Sequence, residues 1–371
     1  MFPILKSGLT NALSSVGISS KLHKVVSKTN VNKSQVATLV RLSYRNEDEE
    51  PLIKPFPYHE KIYSSLEGRK SFAWKPWHPN CKLIVVDGPV ACGKKKFAQE
   101  LAKELDFFYI PEPTFDDLYI THWGFDVRTL DSQLPKDAQT WDIDRFLQDP
   151  HDINTAAMQL YMYHLRLKSY IHAYLHLCHT GQGVITVRGP WSDRCFTTAM
   201  HDSKYISDGA YETIMNTYKN TWHLMFRPHL TIYMDVPVDV TLENIQKYGE
   251  PLEKTSKVFT KEYLTSFETD IKCSVLDYLE PHGLIYYHKN IDEPISDTLD
   301  EIEKLNFDNY LTRDFILSFW RMSRDDQIGS VHMYSNELDA ILSSTDIYSD
   351  VPELHMSAES SKIWEKVWGE E

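Results

Sequence analysis

Leu83-Ile-Val-Val-Asp-Gly-Pro-Val-Ala-Cys-Gly-Lys-Lys-Lys-Phe97 runs an apolar strand into a glycine-rich turn and then into a lysine-rich helix start. Written as Gly88-x-x-x-x-Gly93-Lys94-Lys95, the turn has the two glycines and the lysine of a phosphate-binding loop. Such a loop points backbone N–H groups at a phosphate, and the dipole of the following helix favours the anion. Lys94 is the residue that reaches the β- and γ-phosphates. Lys95 occupies the position where Ser or Thr would place a hydroxyl on Mg²⁺. Cys92, inside the loop, reads as a small loop-filling residue. The alternative to a phosphate loop is a tight strand-to-helix turn with a chance lysine.

Outward from this stretch, short apolar runs alternate with helical patterns. The pattern predicts a strand at 83–87, a helix at 94–105 with Phe97, Leu101 and Leu105 on one face, and a strand at 107–111. A long helix follows over about 153–179, with Ile153, Ala156, Ala157, Leu160, Leu167, Ile171 and Leu175 at helical spacing. Strands are expected at Val184–Val187, Leu230–Met234 and Leu284–Tyr287, with helices between them. The expected fold class is α/β, a central parallel sheet with helices on both faces and the ligand crevice at the carboxyl ends of the strands.

The chain has 371 residues, 42% hydrophobic and 25% charged, which is ordinary globular composition. No apolar run approaches the roughly 18 residues needed to span a bilayer. Its first 46 residues hold no Asp or Glu but seven basic residues, Lys6, Lys21, Lys24, Lys28, Lys33, Arg41 and Arg45, together with many serines. That is the composition of a mitochondrial leader, expected to span 1–45, with Arg41-Leu-Ser-Tyr44 as a processing region; a disordered basic tail is the alternative. Beyond it, 32 basic residues (39 less those seven) face 53 acidic ones, which argues against nucleic-acid binding. Residues 46–80, rich in Pro and Trp, are expected to form an extended arm, 81–300 the α/β body, and 301–371 a helical extension. The extension ends in Ile363, Trp364, Val367 and Trp368 on one helix face, either a partner surface or a fold-back onto the chain's own core. Five cysteines show no CxxC or zinc spacing. His172, His176 and His179 share a helix face, but a packed histidine row is preferred to a metal face.

Polar residues that carry chemistry recur at the strand ends. Ile110-Pro-Glu-Pro113 puts Glu112 beside the loop, Met158-Gln-Leu-Tyr161 puts an amide on the long helix, and Val187-Arg-Gly-Pro-Trp-Ser-Asp-Arg194 ends the third strand with Arg188 and Asp193. Taken singly, Glu112 reads equally as a solvated strand end, Gln159 as a surface amide, and Arg188 with Asp193 as a structural ion pair. In order and spacing, over about 82–290, these segments resemble the deoxynucleoside kinase family. The resemblance implies a P-loop nucleoside-kinase-like fold with N- and C-terminal extensions. It gives Glu112 the position of the base that takes the sugar 5′-hydroxyl proton and Gln159 the position that pairs with the nucleobase edge. Arg188 matches the arginine of the Glu-Arg-Ser motif, and Asp193 the aspartate that reads the base.

The departures bear on phosphoryl transfer, which depends on a metal and on lid arginines. Lys95 replaces the loop hydroxyl, Val187 the acidic residue of Glu-Arg-Ser, and Gly189 its serine. Asp117 stands where the family has a tryptophan. No arginine occurs between Arg227 and Arg313, so the lid at 246–257 has none. The chain is therefore expected to be non-catalytic, with Glu112 a vestigial base and no metal site. Nucleotide-binding candidates are Gly88, Gly93, Lys94, Lys95, Gln159, Arg188 and Asp193. No cofactor is required, and a nucleotide held without Mg²⁺ is the expected ligand. With its leader and extensions, the chain resembles the kinase-like accessory subunits of mitochondrial respiratory complex I. Its implied partners are then other subunits of that complex, met peripherally on the matrix side of the inner membrane. The other reading is an active mitochondrial deoxynucleoside kinase using ATP–Mg²⁺.

Overall fold

The computed structural model describes residues 39–41, 53–57, 61, 64, 79–289, 293–307, 320, 323–336 and 351–369. The chain divides into two units, 1–35 and 36–371, and the fold is that of the second. Five strands form one sheet: β1 (Leu83–Asp87), β2 (Phe108–Ile110), β3 (Val184–Val187), β4 (Leu230–Met234) and β5 (Leu284–His288). Their order is β2-β3-β1-β4-β5 and every pairing is parallel. In register, Leu83 meets Val184 and Ile84 meets Leu230. The three central strands are wholly buried, which is why their sequences are continuous apolar runs rather than alternating ones.

The described helices are α1 (Lys94–Leu105), α2 (Asp116–Tyr119), α3 (Ile143–Gln148), α4 (Thr155–Thr180), α5 (Asp193–Asp202), α6 (Asp208–Trp222), α7 (Val238–Tyr248), α8 (Pro251–Thr255), α9 (Lys261–Asp270), α10 (Leu276–Leu279), α11 (Ile295–Ile302), α12 (Arg324–Asn336) and α13 (Ala358–Gly369). Successive strand side chains point to opposite faces. Ile84 and Val86 meet Ala98, Leu101 and Leu105 of α1 with Leu299 and Ile302 of α11, while Leu83 and Val85 belong to a larger core built on α4. Each of these Leu, Ile and Val side chains contributes about 1.5–3 kcal/mol by leaving water. The sequence places a long helix at about 153–179, and α4 lies there; it is buried on most of its circumference, with Ile153 outside it and exposed. It is sandwiched between the sheet on one side and α6 and α12 on the other, so little of its surface needs to be polar. Gly181, at φ 76°, ends it in the left-handed conformation.

Both extensions pack on the body. Leu39 is buried against Ile302 and Phe307, and Arg41 pairs with Asp300 and Glu303. Trp320 stacks on His229 with centroids 3.9 Å apart and donates to the Arg227 carbonyl at 3.0 Å. On α13, Val367, Trp364 and Trp368 cover Leu130, Leu134 and Ala138, whereas Ile363 faces solvent. Of the histidine row, His176 bonds the Gln182 side chain at 3.0 Å and stacks on Phe108, and His179 is buried against Phe56. Among the described residues no helix is long and apolar enough to cross a membrane.

Candidate functional site

The glycine loop joins β1 to α1 at the carboxyl edge of the sheet. Gly88 has φ 152°, and a Cβ there would lie 2.8 Å from the Met234 Cβ and 3.0 Å from its carbonyl oxygen. No side chain fits that approach, so Gly88 is required by the packing of the loop on β4. Gly93, at φ 77°, starts α1. Cys92 is buried beneath the loop, in the core on the α1 side of the sheet. Lys94 is also buried and its Nζ donates to the Pro89 carbonyl at 2.9 Å. Burial pushes its pKa down, and Arg188 adds to the effect. Lys95 and Lys96, the next two residues of α1, are exposed.

A cavity of about 850 Å³ opens beside this loop. Lys94 and Lys95 line one end, and Glu112, Gln159, Arg166 and Arg188 contribute to its wall. Half-buried Glu112 lies just beyond β2, and its Oε1 accepts from Arg166 Nη2 at 2.7 Å and faces Arg188 Nε at 3.2 Å. Burial alone would raise this carboxyl, but Arg166, Arg188 and Lys94 override it and hold the group at about 2. Arg166 also pairs with Asp193 at 2.5 Å. Asp193 in turn accepts from Gln159 Nε2 at 2.9 Å. Burial pushes the Asp193 carboxyl up to about 6 against the pull of Arg166 and Gln159.

Arg188 adopts φ 60°, uncommon for a residue with a side chain. Its guanidinium sits 4.8 Å from the Phe196 ring centroid and 3.4 Å from Asp87 Oδ1. Asp87 also accepts from the Gly88 N–H at 2.7 Å and from the Ser192 hydroxyl. The strained backbone of Arg188 is thus held by contacts on three sides, as strain at a site requires.

The structure therefore brings Gly88, Gly93, Lys94, Lys95, Glu112, Gln159, Arg188 and Asp193 into one neighbourhood. Asp193 differs from the expectation of a residue that meets a ligand: it is 0% exposed and stands behind Arg166 and Gln159, fixing both. Arg166, Asp87 and Ser192 escaped the sequence reading. Arg166 lies seven residues after Gln159, two turns along the same helix face, and that spacing was the available signal.

At the two positions the resemblance assigns to a metal, the side chains are an ammonium and an isopropyl group. Lys95 has no lone pair to offer a cation and Val187 is apolar and buried, so this donor set does not fit Mg²⁺. A nucleotide fits better: the turn between β1 and α1 opens on the cavity, and the buried Nε of Arg166, in the cavity wall, lacks a hydrogen-bond partner among the described residues. The lid segment carries Glu253 to the cavity wall, where its carboxylate accepts from the Glu250 N–H at 2.8 Å. Ser256 ties the same segment to the Leu147 carbonyl at 2.8 Å.

Comparison with known proteins agrees with this geometry. A mouse (Mus musculus) protein, NADH dehydrogenase (ubiquinone) 1 alpha subcomplex subunit 10, mitochondrial, is 29% identical over 295 residues, covering 78% of each chain. The cattle (Bos taurus) protein of the same name is 28% identical over 292 residues, covering 78% of this chain and 80% of its own. A deoxyadenosine kinase from Dictyostelium discoideum is 23% identical over 171 residues, 46% of this chain and 58% of its own. The deoxynucleoside kinase family profile matches residues 84–304, more than half of the sequence, and the chain belongs to that family.

Proposed function

We propose that this chain is a non-catalytic accessory subunit of mitochondrial respiratory complex I, peripheral on the matrix side of the inner membrane, where it supports assembly or stability of the complex. The likeness to the mouse and cattle subunits over most of their length supports the partner assignment. The observation that carries the non-catalytic reading is the pairing of an intact glycine loop with Lys95 and Val187 at the cation positions. A transferring γ-phosphoryl needs its developing charge neutralised by a bound cation and by arginines. Here the lid segment 246–257 brings none of those arginines. What remains suits a nucleotide held as a fixed ligand. The loop N–H groups and Lys94 hold its phosphates, Lys95 supplies charge in place of Mg²⁺, and Arg166 and Gln159 face the remainder.

The test is native-gel fractionation of detergent-solubilised mitochondria, with mass spectrometry of this chain across the gel. Co-migration with complex I is expected; recovery only as free protein would sink the assignment. The rival reading, an active deoxynucleoside kinase, draws on the survival of Glu112 beside Arg188. It requires Mg²⁺-dependent turnover by the purified chain that Glu112→Gln abolishes.

A further inference from the structure

The leader expected at 1–45 overlaps residues that the fold uses. Leu39 is 1% exposed and sits in the core on the α1 face, among Leu299, Ile302 and Phe307. Val40 is held through its backbone: its N–H donates to Asn80 Oδ1 at 2.9 Å and its carbonyl accepts from Asn80 Nδ2 at 2.7 Å. Asn80 is itself buried, three residues before β1, so Val40 satisfies both ends of an amide that has lost its water. Arg41 Nε donates to Glu303 Oε1 at 2.9 Å, and its Nη2 reaches Asp300 and the Ser296 carbonyl. Three consecutive residues thus fill an apolar site, pair a buried amide and neutralise two carboxylates in and just beyond α11.

We infer that proteolytic maturation cuts this chain N-terminal to Leu39, and that Leu39–Arg41 stays in the mature protein as a clasp joining the start of β1 to α11. The inference rests on the mitochondrial reading above, and moves the processing point upstream of Arg41-Leu-Ser-Tyr44. The step is hydrolysis of one peptide bond by an organellar endopeptidase: water gives its hydroxyl to the carbonyl carbon and a proton to the departing amine. A cut after Arg41 would empty the Leu39 site and remove the Val40 bonds to the Asn80 amide and the Arg41 pairs with Asp300 and Glu303.

Mass spectrometry of the N-terminal peptide of the chain purified from mitochondria tests the cut. A first residue later than Met1 and no later than Leu39 is expected. A first residue at 40 or beyond overturns the inference while leaving the mitochondrial address standing, and so does a mitochondrial chain that still begins at Met1. A chain found only outside mitochondria overturns both readings. The clasp is tested separately by thermal melts of recombinant chains beginning at residue 36 and at residue 46. The shorter chain should melt lower by about 5 °C or more. Asn80→Ala should lower the melting temperature of the longer chain and have little further effect on the shorter one. Equal melting temperatures for the two chains would remove the clasp.

Discussion

At one end of the cavity Glu112, Arg166, Arg188, Asp87 and Asp193 hold one another in a largely buried network; at the other, Lys95 and Lys96 stand in solvent. On the function proposed above, the first end keeps the family pattern and the second departs from it. A buried charge that loses its partner costs several kcal/mol, so the network resists single changes whether or not chemistry is still performed there. An exposed helix position has no such constraint, and a hydroxyl there can become an ammonium at little cost. Val187 is constrained differently: an apolar side chain on a buried strand satisfies packing by itself.

The sharpest way to break this comparison is Arg166→Met, which strips Asp193 of its cation and Glu112 of its closer one. A loss of about 3–5 kcal/mol is expected in urea denaturation. A loss below about 1 kcal/mol would mean that the network is not what preserves this end. Gly88→Ala comes next, at about 2–4 kcal/mol, because the new methyl meets β4 and the backbone is left-handed there. The same measurement would then show that the phosphate end is constrained in its backbone even where its side chains are free.

Titration gives a smaller effect whose sign differs between two members of the network. The Glu112 carboxyl is depressed to about 2 in the fold, below its ordinary value of about 4.3, so its stabilisation is present above about pH 4.3 and is lost as pH falls towards 2. Asp193, raised to about 6, binds its proton more readily in the fold than in the unfolded chain, so its contribution improves as pH falls from about 6 towards 4. Melting curves against pH for Glu112→Gln and Asp193→Asn, each compared with the parent, should diverge in these opposite senses. Parallel curves would show that the two carboxylates are not distinguished by their surroundings. The smallest effect on stability, within about 0.5 kcal/mol, is expected for Lys95→Ser. On the proposed function, that change should weaken nucleotide binding in excess chelator about tenfold by calorimetry, and unchanged affinity would remove Lys95 from the site.

Most of the sheet was legible because its strands are buried on both faces and appear as continuous apolar runs. Leu83–Asp87, Val184–Val187 and Leu230–Met234 fall where the sequence puts them, and the helix at 94–105 is bounded as expected. The outer strand β2 is shorter than the expected 107–111, since an edge strand has a neighbour on one side only. Glu112, Gln159, Arg188 and Asp193, picked out by their order along the chain, do fall in one hydrogen-bonded neighbourhood. Arg166 was missed although its seven-residue spacing from Gln159 was there to read, because the helix that carries both is buried on most of its circumference. Asp87 looked like the end of a strand, yet it ties Gly88 to Arg188 across a separation of 101 residues, which no local pattern reveals. Trp320 has the same lesson: a lone aromatic in a tail gives no hint that His229 is its partner.

The strand order has a consequence for how this chain reaches its native state. β1 occupies the middle of the sheet, yet the strands on either side of it are β3 and β4, supplied from residues 184 and 230 onward. Closing loops of that length before any sheet contact stabilises them makes folding slow and leaves apolar strands uncovered meanwhile. A chain emerging from its N-terminus would present Leu83–Val86 long before either neighbour arrives. Its most aggregation-prone interval thus falls between the appearance of the glycine loop and the arrival of β4, and a holding chaperone has the most to protect in that interval.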